Sequence, residues 1–456
     1  MVLPGCASPT HRFPPPVPPA SSGIDPTLDA QTRLIDSAYR AFVQERYSLA
    51  SALFQRFVDA YPNSPRLSEA RWWLARSYEQ QGDLPAAISA YRAVVGTAPG
   101  STPLAGSYEY HALNRLDAFR QRLGPSFLLE RRQIALWLTS QDWLAIPDVQ
   151  PLIEQLADAG VTALIVEAGT PSPEMMKSGP MGVYFQTAKV PVVEDRFKVI
   201  VPAAHAKGMA VLASINLHEP GWMPVNTEWG IARASRSDQV FQPVAQVDVL
   251  HPEYQRLVGE VAQDLLLTDI DGLVVGTRRA KGFAEEWSPI SRRMFEESVG
   301  SSLGNQNQSV PPDAWRWAGW KTRTYLGFVA RLTQQLRQRR AGLLVAVAVH
   351  TRAVFSPVDA LTEYGEDVLE TKQRGLHVVI QPEPGISERS ADLEARLEAV
   401  QQRLALTARD ERQLWLGVPL GVPDPSSLVT TVKAILATKI GQAGAHLLLI
   451  NRPSIP

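Results

Sequence analysis

From position 134 to the end of the chain one pattern repeats: a short, almost unbroken apolar run, then a longer amphipathic stretch. The runs are 134–138, 163–166, 210–215, 272–275, 343–349, 377–380, 414–418 and 446–450. A strand with water on one face alternates apolar and polar residues. A parallel strand buried on both faces does not, so these runs predict a parallel sheet covered on each side. Helical periodicity fills the intervals 149–159, 195–207, 253–267, 322–340, 358–373, 390–406 and 427–441. Gly160, Gly208, Gly342, Gly375 and Gly444 stand where five of those helices should stop before the next strand. Strand and helix alternating eight times over 130–456 predict an α/β fold, a closed (β/α)8 barrel of the TIM type, with an open doubly wound sheet as the alternative. No Gly-x-Gly-x-x-Gly follows a strand, so nothing points to a dinucleotide.

Residues 25–125 read differently. Ala50 and Ala87, Phe54 and Tyr91, Phe57 and Val94, and Pro62 and Pro99 each recur at a spacing of 37. Small alanines let helices approach and an aromatic ring fills the space above them. Gly82-Asp83 makes the turn inside a helix pair, and Pro62 and Pro99 end the second helix of each copy. Tyr61-Pro62-Asn63-Ser64, followed by Ala70-Arg71-Trp72-Trp73-Leu74, resembles the tetratricopeptide modules of periplasmic bacterial proteins, although the usual unit is a few residues shorter. The aromatic spacing is core packing, because each repeat must bury one helix on the next. A third stretch, 108–123, should cap the stack. The resemblance implies a protein or peptide partner at the repeats.

The first 24 residues carry Cys6, the one cysteine, so no intrachain disulfide forms. Leu3-Pro4-Gly5-Cys6 is similar to the end of a bacterial lipoprotein signal, which implies lipidation of Cys6 and a periplasmic or outer-membrane location. Pro4 departs from that pattern, and five residues cannot hold a charged and an apolar region. The lipoprotein reading therefore expects an apolar stretch encoded upstream of Met1; the alternative is an incidental cysteine. The Pro14–Pro19 segment and the Ala20-Ser21-Ser22-Gly23 that follows suit an extended, disordered tether. With 45 Lys+Arg against 46 Asp+Glu, no basic excess calls for nucleic acid. No apolar stretch approaches the ~20 residues that span a bilayer, leaving a lipid anchor as the one route to a membrane.

Several barrel segments, in order, resemble the glycoside-hydrolase-like domain attached to bacterial poly-β-1,6-N-acetylglucosamine deacetylases of biofilm systems. They are Gly160-Val161-Thr162-Ala163-Leu164-Ile165-Val166-Glu167-Ala168; Val183-Tyr184-Phe185 with Pro191 and Asp195-Arg196-Phe197; His251-Pro252-Glu253-Tyr254 with Ile270-Asp271-Gly272; and Trp320-Lys321. The deacetylase half has no counterpart. Glycosidases need two carboxyl groups flanking the scissile bond, and in a barrel these stand at the C-terminal ends of strands. The resemblance implies an Asp pair after the fourth strand, but here that position reads Thr277-Arg278. Asp271 lies at the strand's entrance, where a turn hydrogen bond is its expected role.

Displaced carboxylates could compensate: Glu167 first, then Glu219, with Glu285, Glu286 and Glu383 farther along. The competing readings are a buried pair with an arginine for Glu167 and a solvated loop face for Glu285-Glu286. Trp222 and Trp287 follow the third and fourth strands, where flat faces could stack on sugar rings. Arg278, Arg279, His350, Arg352, Asn451 and Arg452 also follow strands and would form a hydrogen-bonding rim, unless they are ordinary solvated loop residues. No metal-ligand spacing, cofactor motif or Gly-x-Ser-x-Gly elbow is present. Three functions are consistent with these residues: a cell-envelope polysaccharide-binding protein with a degenerate barrel, an active glycosidase on a β-linked amino-sugar polymer, and a protein-interaction scaffold.

Overall fold

Five successive helices begin the structure: α1 (Pro26–Val43), α2 (Tyr47–Ala60), α3 (Leu67–Gln81), α4 (Leu84–Val95) and α5 (Tyr108–Leu123). The computed structural model describes residues 26–95, 104–123, 132–170 without 145 and 147, 180–222, 228–234, 241–300 without 277, 279 and 280, 314–382, 399, 402, 414–420, 427–437 and 446–450. The repeat is visible in the packing, since Ala50, Phe54 and Phe57 of α2 and Ala87, Tyr91 and Val94 of α4 are all buried. Tyr39 meets Phe54 and Trp73 edge to face, with centroids 5.4 and 5.3 Å apart. Glu79 ties three helices together. It accepts hydrogen bonds from the Tyr91 hydroxyl at 2.6 Å and from Arg76 at 2.8 Å, and it pairs with Arg115.

The eight expected runs are all strands: β1 (Ile134–Leu138), β2 (Ala163–Glu167), β3 (Ala210–Ile215), β6 (Gly272–Val275), β8 (Leu344–His350), β9 (His377–Gln381), β10 (Leu414–Pro419) and β11 (His446–Ile450). They pair in parallel in chain order and close through β1 and β11, where Trp137 sits opposite Ile450. The numbering skips three strands that the sequence reading did not anticipate: β4 (Gly230–Ala234), β5 (Phe241–Val247) and β7 (Glu286–Trp287). These form a separate antiparallel sheet, in the order β5-β4-β7, from the segments that follow β3 and β6. The helices α6 (Ser140–Leu144), α7 (Gln150–Asp158), α8 (Phe197–Ala206), α9 (Pro252–Leu265), α10 (Pro289–Val299) and α11 (Ala314–Arg339) follow in turn. The stretch expected as one helix at 358–373 is two, Pro357–Tyr364 and Val368–Gln373, because Gly365 takes a left-handed φ of +72° between them.

Alternation along each strand separates two apolar layers. Leu136, Leu164, Val211, Val345 and Val347 pack under the outer helices. Ala135, Trp137, Ile165, Leu212, Ala346 and Ala348 face the other way, into the barrel. That inner layer is continuous with Ile35, Phe54, Tyr91 and Leu116 of the helical module.

The joint between the two is polar as well as apolar. Asp271, whose side chain is fully buried, meets Arg92 of α4 at 3.2 Å and His205 of α8 at 2.9 Å. Its Oδ2 also accepts the backbone N–H of Val211 on β3, at 2.9 Å. The expected turn hydrogen bond is therefore a multi-way junction, and its arginine comes from a part of the chain that no local reading would connect to it.

Candidate functional site

Catalytic barrels carry their chemistry where the strands end, so the mouth formed by the C-terminal ends of the eight strands is the place to examine. At β6 the chain leaves the strand through Gly276 and reaches Arg278. The Arg278 guanidinium donates through Nη1 and Nη2 to the two oxygens of Glu286, both at 2.6 Å, a bidentate pair. Nη2 also donates to Gln246 Oε1 at 2.8 Å. Both partners of the pair are 2% exposed. Glu286, expected on a solvated loop, is thus deep in the protein, and Arg278, expected on an open rim, is neutralised.

The surroundings explain why the pair sits there. The short helical turn Phe283–Glu285 brings Glu286 back towards β6, and Phe283 lies under the Arg278 guanidinium at 5.0 Å. Gly365 permits the approach: a Cβ there would come within 2.6–2.8 Å of the Phe283 ring. Lys321 of α11, itself buried, donates to the Glu286 carbonyl at 2.8 Å and to the Phe283 carbonyl, and Trp317 Nε1 donates to the Glu286 carbonyl at 3.0 Å. The Lys321 that the resemblance singled out therefore anchors the loop carrying Glu286.

His218 follows β3 and packs against Tyr325 at 4.8 Å and Phe283 at 6.2 Å. Burial holds its pKa well below the ordinary histidine value, with the charges of Arg278 and Lys321 adding to the effect. Two small cavities of about 20 Å³ each flank Arg278 and share His218 as a wall. Each has room for about one water molecule and none for a sugar ring.

Glu219 is 7% exposed and accepts a hydrogen bond from Gln246 Nε2 at 3.3 Å. It therefore belongs to the same network through Gln246. Its backbone N–H and that of His218 both donate to Asn216 Oδ1, which turns the chain out of β3. His350, placed on the rim by sequence, is fully buried at the end of β8, with Nδ1 2.8 Å from Glu366 Oε1. Arg352 is half-buried and pairs with Glu363 at 3.2 Å.

Glu167 stands apart at the end of β2. Its Oε2 accepts the backbone N–H of Ser140 at 2.9 Å and the Ser140 hydroxyl at 3.1 Å. Of Glu167, Glu219, Glu286 and Glu366 it alone is partly exposed. Nearby Tyr184 meets Trp143 edge to face at 4.4 Å, and its hydroxyl pKa is pushed up to about 12 by burial first and by the Glu167 charge second.

The two tryptophans separate. Trp222 is 3% exposed, its ring pressed on Gly169 and stacked on Tyr254 at 6.5 Å, so it offers no face to a ligand. A bare Gly169 backbone admits the ring: a Cβ there would lie 3.1 Å from it. Trp287 is half-buried in β7, opposite Ala232 of β4. Cys6, Arg279, Glu383, Asn451 and Arg452 lie outside the described residues, as does Thr277. Among the described residues no group of three or more His, Cys, Asp or Glu is arranged to hold a metal, and no helix is long and apolar enough to cross a membrane.

Comparison with known proteins matches residues 35–102 to the tetratricopeptide repeat family. No curated protein matches the chain. Among solved structures, the glycoside hydrolase domain of PgaB (BpsB) from Bordetella bronchiseptica is similar over 70% of this chain and 93% of that one, with a TM-score of 0.53 at 17% identity. An α-galactosidase from Lactobacillus brevis matches over 74% of this chain and 41% of its own, at 13% identity and a TM-score of 0.40. An endo-1,4-β-D-mannanase from Thermotoga petrophila covers 71% of this chain and 89% of its own, at 11% identity and a TM-score of 0.36. At 17% identity the Bordetella likeness is one of fold. The chain is a tetratricopeptide-type helical region followed by a closed eight-stranded parallel barrel, the fold of the Bordetella domain.

Proposed function

We propose that this protein binds a polysaccharide at the barrel mouth without hydrolysing it, as a cell-envelope protein held by lipid on Cys6. The observation that carries the reading is the buried bidentate Arg278–Glu286 pair. Hydrolysis near neutral pH needs a carboxylic acid to protonate the leaving oxygen. An arginine remains charged and cannot serve. A carboxylate clamped by a guanidinium is favoured in its ionised form, which is the wrong form for an acid. Glu219 is drawn into the same network through Gln246. The pair thus stands at the expected acid's position and ties up Glu286, one of its substitutes.

Glu167 is the group we assign to meet a ligand, partly exposed and held in place by Ser140. It suits accepting hydrogen bonds from sugar hydroxyl or amino groups, and half-buried Trp287 is the remaining aromatic candidate for stacking. The similar Bordetella domain is a glycoside hydrolase domain, which supports a carbohydrate as the ligand class. The β-linked amino-sugar polymers implied by the sequence resemblance are the first to try. Calorimetric titration of the whole chain with such oligomers should give binding that Glu167→Gln weakens by about tenfold, the loss of one charge-assisted hydrogen bond. Reducing-end assays should stay at background. Turnover by the wild type that Glu167→Gln abolishes would install the displaced-carboxylate glycosidase instead.

A further inference from the structure

Tetratricopeptide modules are usually read as adaptors for other proteins, yet here one face of the module is already occupied. α4 lies against α8 and the turn that leads into β3. The Ser89 hydroxyl donates to the Gly208 carbonyl at 3.3 Å. Gly208 is left-handed with φ +69°, and a Cβ there would stand 2.3 Å from Ser89 Oγ, so the two surfaces meet with no room for a side chain. One turn further along α4, Arg92 is 5% exposed and reaches the fully buried Asp271 at 3.2 Å. Asp271 also takes His205 and the Val211 N–H, and its backbone carbonyl accepts from Leu344 of β8 at 3.3 Å. The arginine therefore caps a junction that joins β3, β6 and β8 at the barrel's N-terminal face. The apolar layer inside the barrel runs on into the module without a break.

From this continuity we infer that the α4 face of the repeat module has the barrel of its own chain as its ligand, and acts as a clamp on the barrel's N-terminal end. This face shares a core with the barrel and buries a charged side chain against its opposite, Arg92 against Asp271. Breaking such a pair from one side leaves an ion without its counter-charge in a dry place, whereas removing both sides does not.

The test places a specific protease site in the segment 124–131 of the whole chain. After cleavage, the wild-type halves are expected to stay together through gel filtration at micromolar concentration, and the uncut protein to melt in a single transition. Arg92→Met should lower that transition by roughly 5 °C and let the cleaved halves separate. Arg92→Met with Asp271→Asn should recover part of the loss, because the stranded charge is gone. Ser89→Arg, which crowds Gly208 and leaves Asp271 paired, should separate the cleaved halves as well. Should Arg92→Met fail to fold, the cleaved wild type decides alone. Wild-type halves that part on cleavage, or two melting transitions insensitive to Arg92, overturn the clamp.

Discussion

Asp271 stands just before β6 and Arg278 just after it, and each carries a buried ion pair, but the two pairs are built differently. At the entrance the barrel supplies the anion, and the cation, Arg92, arrives from another module through one contact at 3.2 Å. At the exit the barrel supplies the cation, and the anion, Glu286, returns from the loop that follows through two contacts at 2.6 Å. Asp271 retains His205 and the Val211 N–H whatever Arg92 does. Arg278 also donates to the neutral amide of Gln246. The lower pair joins two parts of the chain. The upper pair sits at the strand's exit, within the barrel mouth. The same device thus joins two parts of the chain at one face and ties a loop back to its own strand at the other.

That contrast yields its largest expected effect at the mouth. Glu286→Leu takes the bidentate counter-charge from buried Arg278 and should cost about 3–5 kcal/mol of stability, measured by urea unfolding. Combining it with Arg278→Met should restore most of the loss. If Glu286→Leu costs less than about 1 kcal/mol, the exit pair is not the stronger of the two and the comparison between the faces fails.

Next in size is a pH effect confined to the mouth. Burial keeps His218 neutral well below its ordinary pKa, while in the unfolded chain it takes up a proton near 6.5. Between those values the unfolded state binds the extra proton, so stability falls as pH falls below about 6.5, by up to about 1.4 kcal/mol per pH unit. His218→Asn should flatten that slope by the same amount without needing to preserve overall stability. An unchanged slope would mean that His218 is protonated in the folded protein and that the mouth is wetter than its two water-sized cavities indicate.

How much of this was legible beforehand follows from the range over which each feature is determined. The eight barrel strands could be read because burial on both faces is written locally, in runs such as 134–138 and 446–450. The repeat could be read because its alanines and aromatics recur at a fixed spacing. The small sheet could not: β4 reads Gly-Ile-Ala-Arg-Ala and β7 is two residues long, so neither carries a periodic signal. Trp222 looked like a ligand platform because a tryptophan after a strand has that meaning only when nothing covers it. What covers it is decided by Gly169, a residue whose lack of a side chain says nothing on its own. Arg278 was located correctly at the strand's exit and misjudged in environment. Its partner lies eight residues on, across the turn Phe283–Glu285, and is held by Lys321 from α11. Arg92 and Asp271 are farther apart still in sequence, and no motif links them.

The smallest effect discriminates within the mouth itself, between the closed β6 side and the β2 side where Glu167 is partly exposed. Glu167 raises the Tyr184 pKa, but as the second cause after burial. Glu167→Gln should therefore bring the Tyr184 ionisation down from about 12 while leaving it above the ordinary 10. The difference in ultraviolet absorbance between titrations with and without Tyr184→Phe isolates this one hydroxyl among the eleven tyrosines. The sign is fixed by electrostatics: removing a negative neighbour eases formation of the phenolate. The same titration on Glu286→Leu should leave Tyr184 where it was, since neither residue of the exit pair is among the groups that act on it. A Tyr184 that responds to Glu286 and not to Glu167 would place the charged part of the mouth on the wrong side of the barrel. The division into a sealed half and an open half would then have to be drawn the other way round.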